Sequence, residues 1–228
     1  GGAERDTGVV QAITPWALRD TVYWNWVDAN RKIVDSLSDG RIGYIHLRGM
    51  GNNNLREFYE QLYRERHKDA LIIDVRFNGG GRVHDAILNF LSRVPYGFTT
   101  ERGDTFLRPE PEFKWNKPVV MLINEYSFSD AEIFPMGFKQ LGLGKVIGVP
   151  TYGGVIGTYN TKLMDGRTVF RVPIEGWYRL DKTPLENKPV EPDIYVENPP
   201  EYDNRPGGPQ IEKAVEVLLE MLEKPKQE

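Results

Sequence analysis

The sequence predicts an α/β domain built around a largely parallel β-sheet. Two near-continuous apolar runs with β-branched residues, 69–77 and 117–123, are typical of strands that are buried on both faces. Each run is followed by a segment with helical character, and alternation of strand and helix is the order expected for a parallel sheet. The segment 155–196 differs, because an Asp-Gly pair between two alternating runs predicts a β-hairpin.

The elements before the first buried strand are predicted to be a helix, a strand and a second helix. Thr14 is a candidate N-cap, Pro15 suits the first helical position, and Gly40 is placed to end the first helix. The run 41–47 alternates as a strand does, and 53–66 has the mixed polar and apolar pattern of a surface helix.

Helices are predicted directly after both buried strands. The first covers 82–94 and the second 131–142, where Pro135 is expected to kink the helix or to delay its regular start. A further strand follows at 145–151. The chain then closes with an amphipathic helix that has Pro209 near its start.

Length and composition fit one large domain. The chain has 228 residues, and the loop 197–208 is followed by too little sequence for a second domain. We therefore assign 14–228 to the core domain and 1–13, with a short strand at 8–13, to a tail or linker. The net charge of −4 gives no indication of nucleic-acid binding, and no stretch has the length and hydropathy of a membrane span.

The residue inventory restricts the chemistry. Cysteine is absent, which excludes disulfides, thiolate metal sites and a cysteine nucleophile. The three histidines, His46, His67 and His84, have no zinc-binding spacing. His46 is expected to be a packed histidine within a strand, and His67 lies in a charged, solvated run. His84 begins the helix after the glycine triplet and is the best local candidate for a base.

Three loops are predicted at the carboxyl ends of core strands, where open α/β sheets gather ligands: 78–81, 126–130 and 151–154. The second contains two serines at a turn into a helix. A serine hydrolase also needs two backbone N–H donors for its oxyanion, and a glycine-rich loop can supply one of them. The same residues are also compatible with a simple turn at 78–81 and an ordinary N-cap at Ser129.

Five ordered motifs together resemble the tail-specific peptidase superfamily, serine peptidase family S41, and its tricorn branch in particular. They are GRIGYIHL (40–47), LIIDVRFNGGG (71–81), NEYSFSDAEIF (124–134), LGLGKVIGVPTYGGVIG (141–157) and LENKPVEPDI (185–194). The resemblance implies a ClpP/crotonase-like spiral sheet with flanking helices, and peptide-bond hydrolysis without a cofactor or metal.

The resemblance also implies roles for individual residues. The family's nucleophile falls on Ser129, three residues before Glu132, and the two oxyanion donors fall on the N–H groups of Gly81 and Asp130. The glutamate of the family's charge-relay network falls on Glu186.

The general base is the main departure from the family pattern. One branch uses a Ser-Lys dyad whose lysine falls on Gly154, within a loop that also contains Gly153. A glycine cannot accept a proton, so the resemblance assigns the chain to the tricorn branch. That branch takes its base from a Ser-His pair upstream of a PDZ-like module, and no Ser-His pair occurs here. The tail 1–13 is therefore expected to be the end of such a module, and the base to lie upstream.

Substrate recognition departs from the pattern as well. The tricorn branch reads a basic side chain with an aspartate shortly after the glycine-rich helix. The matching stretch, 96–103, contains Thr99, Thr100 and Glu101 but no aspartate. We take these three residues, with Gly153 and Gly154, as the candidate substrate-binding positions.

The resemblance implies peptide substrates, upstream propeller and PDZ-like domains in the parent chain, and a homo-oligomer. It favours a cytoplasmic location over a periplasmic one, and implies no nucleic-acid or membrane partner. Two alternatives remain open at the level of sequence. One is a retinoid- or lipid-binding module on the same fold, and the other is a crotonase-like thioester enzyme that shares the oxyanion geometry.

Overall fold

A computed structural model describes residues 12–202 and 205–224. Its strands, in chain order, are β1 (Ile42–His46), β2 (Ala70–Asp74), β3 (Gly97–Thr99), β4 (Arg108–Glu110), β5 (Val119–Ile123), β6 (Lys145–Gly148), β7 (Ile156–Lys162), β8 (Val169–Gly176) and β9 (Ile194–Tyr195). A central sheet has the order β1-β2-β5-β6-β9, and all of its neighbouring strands are parallel. The pairs β3–β4 and β7–β8 are separate antiparallel hairpins.

Helices cover both faces of the central sheet. They are α1 (Pro15–Leu37), α2 (Asn52–Glu65), α3 (His84–Leu91), α4 (Asp130–Gln140) and α5 (Pro209–Glu223), with a 3₁₀ turn at Pro200–Tyr202. Helices α2, α3 and α4 pack on one face around Phe58, Phe90 and Phe134. Helices α1 and α5 pack on the other face, against alternate residues of the same strands. Each central strand is therefore apolar on both sides, as its composition indicated.

The predicted α/β class, parallel sheet, flanking helices and β-hairpin are confirmed. Helix α1 begins as expected, because Thr14 Oγ1 accepts the Ala17 N–H at 3.2 Å. Helix α4 begins at Asp130 and contains Pro135, so the proline does not delay its start. The strand predicted at 8–13 lies mostly outside the described residues, and the two described ones, Ala12 and Ile13, are not in a strand.

Two features of the fold were not predicted. Strand β9 is only two residues long and lies in a polar, proline-rich stretch, so it has no periodicity to detect. The hairpin β3–β4 consists of two three-residue strands with half-buried or exposed side chains. Neither element carries an apolar pattern of the length on which strand recognition depends.

A buried polar network lies on the α1 side of the sheet, at the ends of β1 and β2. The Asp74 carboxylate is fully buried. It accepts hydrogen bonds from Nε and Nη2 of the Arg76 guanidinium, from the Arg76 backbone N–H, and from the Tyr44 hydroxyl at 2.7 Å. Burial alone would raise the Asp74 pKa, but the adjacent Arg76 charge outweighs this and holds the pKa below its usual value. Arg76 also donates to Gln210 of α5 at 3.0 Å, which links the helix to the sheet edge.

Because β2 and β5 are parallel neighbours, the segments that follow them emerge side by side at the carboxyl edge of the sheet. These segments are the glycine loop 78–81 and the serine turn 126–130. The loop 151–154 follows β6, the next strand in the sheet. The three loops singled out in the sequence therefore meet at one edge.

Candidate active site

Ser129 occupies an unusual backbone conformation at the start of α4. It is the N-cap residue, with φ of 58° and ψ of −117°. A positive φ is uncommon in residues other than glycine, and such a conformation costs about 1–3 kcal/mol unless its surroundings impose it. The Ser129 side chain is only partly buried and lines an open cleft.

The buried side chain of Glu132 is bonded to the Ser129 backbone. Its carboxylate is fully buried and accepts the Ser129 N–H at 3.1 Å. It also accepts the Thr151 hydroxyl at 2.6 Å, the Gly153 N–H at 2.6 Å and the Gly154 N–H at 2.9 Å. One carboxylate thus links the serine turn to the loop after β6, and four protein donors satisfy its two oxygens.

The glycine loop lies directly against the serine turn. A Cβ atom on Gly80 would come within 2.7 Å of both the Phe128 carbonyl oxygen and Ser129 Cβ, so only glycine allows this approach. A Cβ atom on Gly81 would come within 2.0 Å of the Met50 carbonyl oxygen. Asn78 joins the two segments, since its backbone carbonyl accepts the Phe128 N–H at 2.9 Å and its side chain accepts the Gly80 N–H at 2.8 Å.

Two backbone donors beside Ser129 have no acceptor. Neither the Gly81 N–H nor the Asp130 N–H donates a hydrogen bond to any residue in the described part of the chain. The neighbouring groups are all engaged: the Arg82 N–H donates to the Met50 carbonyl, and the Gly80 N–H to Asn78. Two unpaired donors from adjacent segments can bind one oxyanion.

The side chain of Asp130 ties these two donor segments together. Its Oδ2 accepts the Val83 N–H at 2.8 Å and the His84 N–H at 3.2 Å, which caps the start of α3. Its Oδ1 forms a short hydrogen bond with His84 Nδ1. The carboxylate is 1% exposed, so these bonds are shielded from water. This contact joins the segment that carries the Gly81 N–H to the segment that carries the Asp130 N–H.

The two serines of the turn differ sharply in environment. Ser127 is fully buried, and its hydroxyl donates to the Val75 carbonyl at 2.9 Å while accepting the Asn124 N–H at 3.1 Å. Its proton and oxygen are therefore committed to the backbone. Ser129 lines the cleft, and its role as the nucleophile stays a prediction.

The cleft has a volume of about 220 Å³. One side is formed by the glycine loop and α4, and the other by the β7–β8 hairpin. Its lining residues are Gly81, Arg82, Ser129, Ile133, Ile156, Gly157, Thr158, Arg171, Ile174, Glu175 and Trp177. The apolar residues provide a surface for carbon chains, and three charged side chains lie among them.

None of the three histidines is among these lining residues. His46 is buried, with Nδ1 bonded to the Tyr23 hydroxyl at 2.9 Å and Nε2 to the Arg76 carbonyl at 3.0 Å. A carbonyl only accepts, so Nε2 carries the proton and Nδ1 accepts from Tyr23. Burial lowers the His46 pKa, in keeping with its expected structural role. His84 Nδ1 is committed to Asp130, and His67 is exposed on the surface.

Glu186 lies beside the loop after β6. Its carboxylate accepts the Val155 N–H at 2.5 Å, and the Asn187 N–H donates to the Gly153 carbonyl at 2.8 Å. Val155 directly follows Gly154, whose own N–H is bonded to Glu132. Residues far apart in sequence thus converge on one loop, although a role for Glu186 in proton relay stays a prediction.

The remaining substrate-binding candidates fall into two places. Gly153 and Gly154 lie in the loop held by Glu132. Thr99, Thr100 and Glu101 are in or next to the exposed β3–β4 hairpin, where Glu101 pairs with Arg108 at 3.3 Å. None of the five is among the residues that line the Ser129 cleft, and their role in substrate binding stays a prediction.

Sequence reasoning missed three contributors to the site. Glu132 served only as a spacing marker for Ser129, although the three-residue offset that is typical of a capping box indicated its contact with the serine N–H. The side chain of Asp130 and the cleft-lining residues of the hairpin had no detectable signal.

Among the described residues there is no group of three or more potential metal ligands. No described helix has the length and apolar character needed to cross a membrane.

Comparison with known proteins places these features in a family context. The sequence model of peptidase family S41 matches residues 41–196. The chain is 42% identical over 203 residues to the tricorn protease of Thermoplasma volcanium, a match that covers 89% of this chain and 20% of that protein. It is 35% identical over 220 residues to a putative tricorn-like protease C-terminal subunit of Sulfurisphaera tokodaii, covering 95% of this chain and 26% of that protein.

The fold is also similar to a solved structure. The crystal structure of the tricorn protease superposes with a TM-score of 0.78 at 38% sequence identity, covering 89% of this chain and 20% of the other. The chain thus spans about a fifth to a quarter of the length of these relatives.

Proposed function

Because this chain belongs to peptidase family S41, we propose that it is a serine-type peptidase domain in which Ser129 is the nucleophile. The strained conformation of Ser129 beside two unpaired N–H groups is the observation that supports this role most directly. Strain of this kind persists where the surrounding structure enforces it, and it is concentrated at reactive sites. The names of the relatives, which are proteases, agree with this assignment.

The proposed reaction is acyl transfer. Ser129 Oγ attacks the carbonyl carbon of the peptide bond and passes its proton to a general base. The carbonyl oxygen becomes an oxyanion that accepts the Gly81 and Asp130 N–H groups, and the adjacent N-terminus of α4 favours the same negative charge. Collapse expels the amine, which takes the proton from the base. Water then hydrolyses the acyl-enzyme by the same steps.

We further infer that the base is supplied by a segment outside this chain. Gly154 occupies the position of the lysine in the dyad branch and cannot accept a proton. Both ring nitrogens of His46 are engaged, and His84 Nδ1 is bonded to Asp130. Glu186 is proposed to belong to the relay through its contact with the loop at Val155. The relatives are several times longer than this chain and provide room for such a segment.

The lipid-binding alternative gains no support from the site. Lipid binding does not require a serine that is held at positive φ, and it does not require two adjacent N–H donors without an acceptor. A thioester enzyme would use those donors, but not a serine nucleophile. The cleft at Ser129 therefore favours peptide hydrolysis over both alternatives.

A fluorophosphonate probe tests the nucleophile on the protein that contains the base. We expect Ser129 to be labelled and Ser129→Ala to abolish both labelling and hydrolysis of fluorogenic peptides. Ser127→Ala serves as the matched control, with circular dichroism to verify that it folds. Labelling that persists in Ser129→Ala but disappears in folded Ser127→Ala would overturn the assignment.

The origin of the base is tested by comparing the 228-residue chain alone with the same chain joined to the segment that precedes it in its parent. We expect the chain alone to fold but to hydrolyse peptides poorly, because removal of a triad member leaves only about 10³–10⁴-fold acceleration over water. The longer form should turn over. If the chain alone is fully active and His84→Ala abolishes that activity, the base is local.

A further inference from the structure

We propose that the β7–β8 hairpin selects peptides that carry a carboxylate near the scissile bond, and that Arg171 binds this carboxylate. This inference deepens the proposed peptidase function, since it names the class of peptide that the cleft binds. It rests on the proposed function only for the statement that the bond near the carboxylate is cleaved. Peptide binding can be measured without cleavage, so the carboxylate preference and the peptidase function can be rejected separately.

A β-bulge directs the hairpin towards the cleft. Gly157 pairs with Glu175, whereas the next residue, Thr158, pairs with Pro173, which leaves Ile174 as an extra residue in β8. In a regular strand, consecutive side chains point to opposite faces. The bulge instead allows Ile174 and Glu175 to line the cleft together. Bulges are common beside active sites, where they re-aim side chains.

The charges of the cleft do not cancel. Arg82, next to the glycine loop, pairs with Glu175 across 2.5 Å. Arg171 has no acidic partner in the described part of the chain, because its Nε and Nη2 both donate to the neutral Thr158 hydroxyl, at 3.1 and 2.9 Å. The lining of the cleft therefore retains one unneutralised positive charge, on Arg171.

Thr158 also holds the Arg171 guanidinium in place. Arg171 pairs with Asn160, so Thr158 is its diagonal neighbour across the two strands. Two bonds to one hydroxyl fix the guanidinium plane and leave Nη1 available to a ligand. A guanidinium fork suits a carboxylate, and ordering it before binding reduces the entropy lost on binding.

This arrangement argues against a preference for basic side chains. A lysine or arginine of the substrate would meet Arg171 and Arg82, and the only acidic lining residue, Glu175, is already paired. A carboxylate would meet an oriented cation, while its aliphatic stem could contact Ile156 and Ile174. The carboxylate could belong to an acidic side chain or to the carboxyl terminus of a peptide, and both present the same chemistry.

The test uses the 228-residue chain with Ser129→Ala, so that bound peptides are not cleaved. The probes are acetylated and amidated octapeptides that differ at one central residue, Glu, Gln or Lys, and a Gln peptide with a free carboxyl terminus. We expect isothermal titration to show about five- to tenfold tighter binding of a carboxylate-bearing peptide than of the amidated Gln peptide, the range of a charge-assisted hydrogen bond at a partly exposed site. Tighter binding of the Glu peptide would identify an acidic side chain as the recognised group. Tighter binding of the free-acid peptide would identify the carboxyl terminus.

Three variants assign the preference to Arg171. Arg171→Ala should remove the five- to tenfold gain, whereas Arg167→Ala, in the turn of the same hairpin and outside the cleft lining, should leave it unchanged. Glu175→Gln should strengthen binding of the Glu peptide about two- to threefold, since it releases the charge of Arg82. Both arginines are exposed, so their replacement is compatible with folding.

Several results would overturn the proposal. They are equal binding of all four peptides, tighter binding of the Lys peptide, no binding of any peptide at millimolar concentration, and a preference that survives Arg171→Ala. Hydrolysis that depends on Ser129 without any carboxylate preference would retain the proposed function and reject this inference. An Arg171-dependent preference, together with no hydrolysis by the protein that also contains the preceding segment, would do the reverse.

Discussion

The serine turn and the β7–β8 hairpin line the same cleft but are stabilised in different ways. The turn is held by buried carboxylates, since Glu132 accepts four hydrogen bonds and Asp130 accepts three. The hairpin has exposed or half-exposed side chains throughout, and its ion pair to the glycine loop lies at the surface. Exposed ion pairs contribute about 0–1 kcal/mol, so the hairpin is only weakly attached by this contact.

This difference indicates a division of roles. Proposed catalytic groups need fixed positions, and a dense set of buried bonds fixes them. The hairpin side of the cleft would contact varied substrate side chains. Its residues tolerate replacement, because few contacts depend on any one of them. Substitutions in the turn should therefore alter stability and turnover, and those in the hairpin should alter which ligands bind.

Glu132→Ala should give the largest loss of stability. It leaves the N–H groups of Ser129, Gly153 and Gly154 and the Thr151 hydroxyl without their acceptor in a buried site. We expect the free energy of unfolding to fall by about 4 kcal/mol, since each unsatisfied buried group costs about 1–3 kcal/mol and water can reach some of them. Urea denaturation measures this quantity.

Glu175→Ala is the matched control, because it removes a carboxylate from the hairpin side of the same cleft. Its effect on the free energy of unfolding should stay within about 0.5 kcal/mol, as is usual for surface positions. Similar losses for the two variants would contradict the distinction between turn and hairpin.

Asp130→Ala should have the next largest effect, on turnover in the base-containing protein. Without the carboxylate, the start of α3 and the glycine loop lose their tie to the serine turn, and the Gly81 and Asp130 N–H groups no longer keep a fixed separation. We expect kcat to fall about 100-fold, comparable to the loss of one oxyanion donor, with KM changed less than threefold.

The conservative variant Asp130→Asn should recover part of the lost turnover, because the amide oxygen can still accept the Val83 N–H. Asp85→Ala, which removes an exposed carboxylate from the first turn of α3, should leave kcat unchanged. A rise in KM at constant kcat would show that Asp130 acts on substrate binding and not on the oxyanion donors.

The same contrast explains which parts of the molecule could be predicted from the sequence. The buried strands were predicted from continuous apolar runs. The glycine loop with Gly80 and Gly81 was predicted from a glycine triplet at the end of a strand. Ser129 was predicted as the nucleophile from the resemblance to family S41, and this role stays a prediction. Such features are local in sequence or repeat with a fixed period, and pattern reasoning detects both.

The missed features depend on contacts between distant residues. Arg82 and Glu175 are 93 positions apart, and the Asp130 carboxylate reaches back 46 and 47 positions to α3. The bulge at Ile174 is a matter of register between two strands, and a single sequence contains no signal for it. Polar residues such as Thr158 and Arg171 can be assigned a role only after the fold has placed them in one cleft.

Mild acid sharpens the comparison, because it titrates His46, a buried group at the edge of the central sheet. Burial lowers the pKa of His46, so in the unfolded chain His46 takes up a proton near its ordinary pKa of about 6.5 while the folded protein stays neutral there. Stability is therefore present above pH ~6.5 and falls as the pH decreases, by at most about 1.4 kcal/mol per pH unit for one proton. In the hairpin, hydrogen bonds from Thr168 and Arg167 lower the Asp165 pKa, so it titrates only in stronger acid.

The measurement is the melting temperature between pH 7 and 5.5 for the unsubstituted chain and for His46→Gln, whose amide can still donate to the Arg76 carbonyl. The variant should lose less stability over this range. Asp74 lies outside the window because its pKa is lowered. Burial raises the Glu65 pKa, so Glu65 acts in the opposite sense, but it does so in both proteins and cancels when their pH dependences are compared. An identical pH dependence in both proteins would show that His46 is protonated in the folded state.

Thr158→Val should produce the smallest effect and should separate ligand selection from stability. Valine retains the shape and strand preference of threonine but removes the hydroxyl that holds the Arg171 guanidinium. We expect the free energy of unfolding to change by less than about 0.5 kcal/mol. Binding of the carboxylate peptide should weaken about two- to threefold, because Arg171 keeps its charge but must be ordered on binding. Thr161→Val, in the same strand and outside the cleft lining, should change neither quantity. A loss of stability above about 2 kcal/mol in Thr158→Val would show that the hairpin, like the serine turn, depends on its individual hydrogen bonds.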